Sequence, residues 1–216
     1  MTVRAMRGEC RLPCPSVPNP ATPSLVLLVR HGATDWSVSG QHTGRTDLPL
    51  TPQGEDQARR IGPVIQSWLG DQQPVVYTSP LQRAARTAEL AMPRHRAEPV
   101  DALVEFDYGN HEGLTTTQIL ERDPEWNLFA SGCPGGESIM QVTARCDSFI
   151  AKLERTAPGR AVVAFTHGHL SRLLTTRLLG LPAVAAAAMW NDTASLAAID
   201  THRGRLVLVG WNVTAQ

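Results

Sequence analysis

The amino-acid sequence predicts a single α/β domain of three layers, in which a largely parallel sheet lies between helices. Short, continuous apolar runs alternate with amphipathic helical segments, and this alternation is typical of a parallel sheet covered on both faces. The chain has 216 residues, of which 42% are hydrophobic, and this suffices for the core of one such domain. We assign the domain to residues 25–216 and expect the proline-rich residues 1–24 to form a disordered leader.

The first strand is predicted at the apolar run 25–29, which is short and partly β-branched and therefore suits the interior of a parallel sheet. A polar, glycine-containing loop follows over 33–50. Thr51 and Pro52 provide an N-cap and a first helical residue, so a helix begins there. Because proline has no backbone N–H and clashes with the preceding turn, we expect this helix to kink or break just before Pro63.

The rest of the chain continues the alternation of strands and helices. A second strand is predicted at 74–77, after which Ser79 and Pro80 again fit an N-cap and a first residue, here of a helix that ends near residue 92. A third strand is expected to end at residues 103–105. The further predicted elements are helices at 115–122 and 136–155, a strand at 161–165, a helix that ends near residue 179, and strands at 194–200 and 205–210.

Composition and charge argue against several functions. Lys plus Arg and Asp plus Glu number 20 each, so the chain lacks the excess positive charge of nucleic-acid binding or polybasic membrane attachment. No apolar run approaches the roughly 20 residues of a membrane span, and residues 1–24 lack the apolar stretch of a secretory signal. The four cysteines lack zinc-site spacing. We therefore expect reduced thiols in a cytoplasmic protein that binds a small molecule.

Two predicted strands end in the same way, with an apolar run followed by one polar residue, a histidine and a glycine. His31 follows the first strand, and His167 follows the strand at 161–165. In an open parallel sheet, functional sites form at the carboxyl edge, where the strands end. If these two strands are neighbours, their imidazoles face each other there. Arg83, in the first turn of the helix after the second strand, points toward the same edge.

The candidate pocket thus contains two permanent positive charges and two imidazoles, from Arg30, His31, Arg83 and His167. Such a pocket favours a dianionic, oxygen-rich group, and phosphate fits because arginine pairs with its oxygens in a bidentate manner. A neutral histidine can act as the nucleophile toward phosphorus. A carboxylic acid must then protonate the leaving oxygen. The candidates for this acid are Glu105, Asp107 and Glu112.

Five segments, in this order, resemble the histidine phosphatase superfamily, which contains cofactor-dependent phosphoglycerate mutases and many phosphatases. They are RHGAT at 30–34, TGRTDLPLTPQG at 43–54, TSPLQRAARTA at 78–88, EFDYGNHEG at 105–113 and THGH at 166–169. The resemblance extends from Leu25 to the C-terminus. The segments are most similar to those of the broad-specificity acid phosphatases and the sedoheptulose-bisphosphatase-like members.

The resemblance implies a role for each residue of the candidate pocket. His31 would accept the phosphoryl group, while Arg30, Arg83 and His167 would hold its oxygens. Glu105 would protonate the leaving oxygen and then activate the attacking water. No metal or other cofactor is implied, because the arginines supply the positive charge. The positions that correspond to substrate contacts are Ser37, Thr43, Gly44, Tyr108, Gly168 and His169.

The chain differs from the mutases of this superfamily in ways that favour hydrolysis. Mutases usually carry Asn at the position of Ser37 and Trp or Tyr at that of Arg45. They also have a further basic segment after the catalytic glutamate, whereas residues 114–129 here contain only Arg122 as a basic residue. A pocket without that segment admits water. We predict a phosphatase for small phosphomonoesters such as sugar phosphates; the alternatives are mutase-type phosphoryl transfer and a non-catalytic phosphate-binding module.

Four points stay open at the level of the sequence. A metal site formed by His31, His167, His169 and a carboxylate is a rival to the phosphate pocket, although the arginines would repel a cation. His169 either lines the pocket or caps the helix that follows it. His42 is expected at the surface, with contact to the substrate as the alternative. Many members of the superfamily form dimers, so a homodimer is also an open prediction.

Overall fold

A computed structural model describes residues 22–215, which contain one six-stranded sheet flanked by helices. The strands are β1 (Leu25–Arg30), β2 (Val75–Thr78), β3 (Glu98–Pro99), β4 (Ala161–Thr166), β5 (Leu196–His202) and β6 (Arg205–Val213). Their order in the sheet is β3-β2-β4-β1-β5-β6. Neighbours pair in parallel except at β5, which is antiparallel to both β1 and β6. The predicted fold class, an α/β domain with a mostly parallel sheet, is confirmed.

Helices cover both faces of the sheet. They are α1 (Asp35–Ser39), α2 (Pro52–Leu69), α3 (Gln82–Ala91), α4 (Thr116–Leu120), α5 (Leu128–Ser131), α6 (Ile139–Thr156) and α7 (Gly168–Leu178). Ile61 of α2 and Ala88 of α3 belong to the apolar cluster on one face, and Phe149 of α6 and Leu173 of α7 belong to the cluster on the other. In the part of the chain that is described, no helix has the length and apolar character needed to cross a bilayer.

Helix α2 runs without a break through Pro63, so the break predicted there is wrong. Ile61 and Ile65 are buried on either side of the proline, and this burial favours a continuous helix. Pro63 itself is exposed. The carbonyl of Arg59, which loses its intrahelical donor, therefore lies on the solvent side of the helix.

The loop predicted at 33–50 contains helix α1, and the short helix α5 was not predicted either. In α1, Thr34 and Ser37 form a capping box, in which each side chain accepts the backbone N–H of the other. A helix of one turn is too short to show an apolar period. Capping residues are then the only local signal.

Two predictions at the carboxyl edge of the sheet need correction. Ser79 does not cap α3, which begins at Gln82 without a side-chain cap. Residues 103–105 do not end a strand, because the chain makes a 3₁₀ turn over Asp101–Leu103 and then extends without joining the sheet. The parallel edge strand is instead the two-residue β3.

Residues 1–21, most of the predicted leader, lie outside the described part of the chain. Ser24, which the prediction also assigned to the leader, forms backbone hydrogen bonds with the domain. Its N–H donates to the carbonyl of Arg160, and its own carbonyl accepts from the N–H of Thr201, both at 3.0 Å. The described structure is therefore anchored before residue 25.

Cys133 and Cys146 are buried free thiols. Burial is the main cause that raises the pKa of each to about 12. Both stay protonated near neutral pH, so neither is a reactive thiolate. The other two cysteines, Cys10 and Cys14, lie outside the described residues.

The loop that follows β1 lies directly against the first turn of α2. A Cβ on Gly32 would overlap the carbonyl oxygen of Gly54, and a Cβ on Gly54 would overlap that of Ala33. The N–H of Gly32 also donates to Oγ1 of Thr87 at 3.0 Å. The two glycines thus allow a backbone contact that fixes the chain immediately after His31.

We predict that Gly54→Ala destabilises the fold by about 1–3 kcal/mol, the usual cost of overpacking. Helix propensity alone predicts the opposite, a gain of about 0.5–1 kcal/mol, so the sign of the change separates the two effects. The measurement is urea unfolding of the wild type and the variant. Gln53→Ala, in the same turn but exposed, is the control. An increase in stability of Gly54→Ala would contradict the proposed backbone contact.

Candidate active site

The ends of β1 and β4 lie side by side, because the two strands are parallel neighbours and Arg30 is level with Thr166. The next residue of each is a histidine, and the ring centroids of His31 and His167 are 5.2 Å apart. Both side chains are buried. The two imidazoles therefore meet at the carboxyl edge of the sheet, where ligand sites form in open α/β folds.

His31 has one ring nitrogen with a free lone pair. Its Nδ1 lies 2.7 Å from the carbonyl oxygen of Gly32, and since a carbonyl only accepts, Nδ1 carries the proton. Nε2 is therefore the unprotonated nitrogen. Burial, followed by the charges of Arg83 and Arg30, holds the pKa of His31 well below its usual value. The ring is then neutral near neutral pH, which is the form that can attack an electrophile.

Both ring nitrogens of His167 have partners. Arg83 donates from Nε to Nδ1 at 3.1 Å, so Nδ1 is unprotonated and the proton is on Nε2, which donates to Oγ of Ser79 at 2.8 Å. Burial, followed by the charge of Arg83, lowers the pKa of His167 well below its usual value. His167 is thus a neutral donor whose tautomer is set by Arg83.

Arg83 is fully buried in the first turn of α3 and holds the loop after α1. Its Nη1 donates to the carbonyl of Thr46 at 2.9 Å, and its Nη2 donates to the carbonyls of Gly44 at 2.9 Å and Thr43 at 3.1 Å. These bonds are charge-assisted and therefore stronger than bonds between neutral groups. Together with the bond to His167, they connect this loop to the buried side of the site.

Arg30 has a donor without a partner. Its Nη1 donates to the carbonyl of Asn191 at 2.7 Å, whereas its Nε is buried and has no hydrogen-bond partner among the described residues. A buried donor left in this state costs about 1–3 kcal/mol. An anionic ligand with oxygen acceptors, bound beside Arg30, would remove this cost.

The carboxylate of Glu105 lies at the N-terminus of α7. Its Oε1 accepts the N–H groups of Leu170 at 2.8 Å and Phe106 at 3.0 Å, and its Oε2 accepts that of His169 at 2.9 Å. Burial raises the pKa of Glu105, while these bonds and the charge of Arg83 oppose the rise. A raised pKa keeps more of the carboxyl protonated at mildly acidic pH, as a general acid requires.

These groups surround a cavity of about 160 Å³. Its lining is formed by Arg30, His31, Ser37, Gly40, Gln41, His42, Thr43, Glu105, Tyr108, Thr116, Gly168, His169, Arg172, Trp190 and Asn191. Of the five residues predicted to be catalytic, Arg30, His31 and Glu105 are in this lining. Arg83 and His167 are fully buried instead, and both lie within hydrogen-bond distance of one another.

The cavity brings together most of the residues predicted to contact substrate. Those in its lining are Ser37, Thr43, Tyr108, Gly168 and His169. Gly44 is not in the lining, and its N–H donates to both carboxylate oxygens of Glu112 at 3.0 Å. A Cβ at this position would overlap the carbonyl oxygen of Phe106. The structure therefore places Gly44 in a backbone contact beside the site.

His42 is only 7% exposed, so its predicted surface position is wrong, and it lines the cavity. Its Nε2 lies 3.1 Å from Oγ1 of Thr116, and its ring stacks on that of His169 with centroids 5.3 Å apart. Burial is the main cause that lowers the pKa of His42 to about 4, with a smaller effect of His111. His169, in turn, is hydrogen-bonded through Nδ1 to the hydroxyl of Tyr108.

Seven residues of the site were missed by the sequence analysis: Gly40, Gln41, Ser79, Thr116, Arg172, Trp190 and Asn191. Arg172 lines the cavity and lies over the ring of Phe129, with Cζ 4.7 Å from its centroid. Trp190 also lines the cavity, and its side chain is 69% exposed to solvent. Only Ser79 had a usable signal, since it directly follows a strand that ends at the same edge.

The rival metal site does not form in the described part of the chain. Among residues 22–215, no three side chains of His, Cys, Asp or Glu are grouped as metal ligands. His169 is bonded to Tyr108, and both nitrogens of His167 are bonded to Arg83 and Ser79.

We predict that acid destabilises the fold through its buried histidines. Because the pKa of His42 falls from 6.5 to about 4 on folding, the unfolded chain binds more protons between these pH values, and stability decreases as pH falls through them. The pKa values of His31, His167 and His169 are lowered too. His42→Gln removes one proton from the difference in bound protons between the unfolded and folded chains. The slope of the unfolding free energy against pH therefore decreases by about 1.4 kcal/mol per pH unit.

The measurement is urea unfolding of the wild type and His42→Gln at several pH values between 7.5 and 4.5. His202→Gln, at an exposed position of β5, is the matched control and is expected to follow the wild type. An unchanged slope for His42→Gln would show that His42 titrates alike in the folded and unfolded chains.

The chain is similar to several known proteins. It is 42% identical over 171 residues to an acid phosphatase of Mycobacterium tuberculosis, covering 79% of this chain and 83% of that protein. It is 35% identical over 182 residues to a sedoheptulose 1,7-bisphosphatase of Saccharomyces cerevisiae, covering 72% of this chain and 67% of that protein. A probable phosphoglycerate mutase of Salmonella paratyphi C is 30% identical over 196 residues, or 87% of this chain and 90% of that protein.

The fold agrees with these similarities. The solved structure of an open reading frame product of Mycobacterium tuberculosis matches 89% of this chain and 98% of its own, with a TM-score of 0.84 and 38% identity. The model of the histidine phosphatase superfamily, branch 1, matches residues 26–214, a range that includes every residue of the candidate site. The chain therefore belongs to the histidine phosphatase superfamily.

Proposed function

We propose that this protein is a metal-independent phosphatase that hydrolyses small phosphomonoesters, such as sugar phosphates, through a phosphohistidine on His31. The observation that carries the proposal is the state of His31 beside the cavity. Its Nδ1–H is bonded to Gly32, its Nε2 lone pair is free, and the ring is neutral. The unpartnered donor of Arg30 lies in the same wall and supplies a charge for a phosphoryl oxygen.

In the first step, Nε2 of His31 attacks phosphorus, and the bond from phosphorus to the ester oxygen breaks. Arg30, Arg83 and His167 stabilise the phosphoryl oxygens, and His167 redirects its Nε2–H from Ser79 to one of them. Glu105 gives its proton to the leaving oxygen, so the alcohol departs neutral. Charge that develops in the transition state is thus stabilised by the arginines and by the redirected N–H of His167.

In the second step, water attacks the phosphohistidine. Glu105, now ionised, takes a proton from this water, the bond from phosphorus to Nε2 breaks, and inorganic phosphate leaves. The enzyme returns to its starting state, with His31 neutral and Glu105 protonated. The same residue therefore acts as acid and then as base, as the two half-reactions require.

The cavity supports a small, hydroxyl-bearing substrate. The polar side chains of Ser37, Gln41, Thr43 and Thr116 lie in its lining and provide donors and acceptors for sugar hydroxyls. We assign substrate contacts to the predicted set of Ser37, Thr43, Tyr108, Gly168 and His169, and a supporting role to Gly44. Hydrolysis is favoured over mutase-type transfer because residues 114–129 lack the basic segment of the mutases. The single catalytic domain, the cytoplasmic location and the homodimer stay predictions.

The test is phosphate release from a panel of small phosphomonoesters in excess EDTA, by the wild type and by His31→Ala. We expect turnover by the wild type with EDTA present and a loss of about 10³-fold or more in the variant, the scale seen when a nucleophile is removed. Abolition by EDTA would contradict the metal-independent mechanism. If neither protein releases phosphate, activity that requires a bisphosphate primer would instead establish the mutase alternative.

We further predict a bell-shaped pH profile of kcat/KM with a mildly acidic optimum. The rate falls on the acid side as His31 becomes protonated, at a pH displaced downward by its lowered pKa. It falls on the alkaline side as Glu105 loses its proton, at a pH displaced upward by its raised pKa. The profile is measured for the wild type and Glu105→Gln. Persistence of the alkaline limb in Glu105→Gln would contradict the role of Glu105.

A further inference from the structure

We propose that Arg145 and Glu137 are positioning residues that set the place of the Glu105 carboxyl at the cavity. The inference rests on the proposed function, in which Glu105 protonates the leaving oxygen. Neither residue is in the lining of the cavity, and both act through the backbone on either side of Glu105.

Among the described residues, the segment that carries Glu105 does not pair with a strand, and its side-chain hydrogen bond with the sheet is the one from Oγ1 of Thr166 to the carbonyl of Leu103 at 2.8 Å. The chain leaves β3 after Pro99, makes a 3₁₀ turn over Asp101–Leu103 and then passes Glu105 in an extended conformation. A proton donor must be held to within a fraction of an ångström, since a displacement of about 1 Å can cost 10²-fold in rate. Another structure must therefore fix this segment.

Arg145 of α6 supplies that structure on the N-terminal side of Glu105. Its Nη1 donates to the carbonyls of Ala102 at 2.9 Å and Val104 at 2.8 Å, and its Nη2 lies 3.4 Å from the carbonyl of Glu105 itself. One rigid, planar side chain thus contacts three carbonyls of the segment. A lysine has no fork with which to replace these contacts.

Glu137 holds the C-terminal side. Its Oε2 accepts the N–H of Asp107 at 2.9 Å, and its own N–H donates to the carbonyl of Asp107 at 2.9 Å. Its carboxylate is also paired in a bidentate manner with Arg145, with Nε to Oε1 and Nη2 to Oε2 both at 2.9 Å. The charge of Arg145 is therefore balanced at the position where the segment is held.

The Arg145–Glu137 pair is largely shielded from water, with side chains 20% and 15% exposed. The hydrogen bond from Arg145 and its charge lower the pKa of Glu137 against the effect of burial. The pair spans Glu105, because it fixes the carbonyl of Val104 before it and the amide of Asp107 after it. The carboxyl of Glu105 is thereby held against the N-terminus of α7, where it accepts the N–H of Leu170 at 2.8 Å.

The test uses the dependence of the rate on the leaving group. A general acid matters greatly for a poor leaving group, such as the alkoxide of glycerol phosphate, and little for 4-nitrophenolate, which leaves without a proton. We therefore measure kcat/KM, which includes only the steps up to alcohol release, for both substrates. For Arg145→Met we expect a loss of about 10–100-fold with glycerol phosphate and less than about 3-fold with 4-nitrophenyl phosphate.

The controls separate positioning from folding and from the proposed function. Arg177→Met removes the bidentate pair with Asp147, at 2.8 and 3.1 Å, on the neighbouring helix, and should affect both substrates equally and slightly. Glu105→Gln should show the selective loss in its largest form. Arg145→Lys and Glu137→Gln are measured in parallel, and thermal unfolding selects the temperature at which every variant compared is folded.

The outcomes are distinguishable. A selective loss in Arg145→Met or Glu137→Gln supports the proposal. An equal loss for both substrates in these variants, while Glu105→Gln is selective, overturns the positioning role and leaves the proposed function intact. If Glu105→Gln itself shows no selectivity, the assignment of Glu105 as the acid is wrong. Failure of both Arg145 variants and of Glu137→Gln to fold at any temperature would make the pair structural and overturn the proposal.

Discussion

The site depends on the parallel pairing of β1 with β4, in which Arg30 is level with Thr166. Because the two strands end together, the histidine that follows each meets the other at 5.2 Å between ring centroids. A shift of one residue would turn the side chains of one strand to the opposite face. The fully buried apolar residues of both strands make such a shift costly, so the core that stabilises the sheet also fixes the distance between the imidazoles.

Burial of ionisable groups is the second condition on which the site rests. His31, His167 and His169 are kept neutral by burial and by neighbouring arginines. The buried carboxyl oxygens of Glu105 instead accept hydrogen bonds from three backbone N–H groups. The charges of Arg30, Arg83 and Arg172 are permanent. The pocket is therefore cationic without having protonated histidines, and one imidazole is left free to act as a nucleophile.

Much of the fold could be predicted, because buried strands such as β1 and β4 are continuous apolar runs and the helices between them are amphipathic. The predictions failed where long-range packing decides the outcome. Pro63 stays helical because buried isoleucines flank it. Ser79 contacts both His167 and the N–H of Leu81, while α3 begins only at Gln82. Arg30, His31 and His167 lie at the ends of recognisable strands, but Arg172 and Asn191 reach the cavity only through the tertiary fold and have no local signal.

The buried guanidinium of Arg83 has a consequence for how ligands enter. Among the described residues it donates only to carbonyls of the loop at 43–46 and to Nδ1 of His167. Moving that loop outward would leave a buried cation without acceptors, which costs several kcal/mol. The loop at 43–46 is therefore a fixed wall of the pocket, and we expect ligands to enter and leave without displacing it.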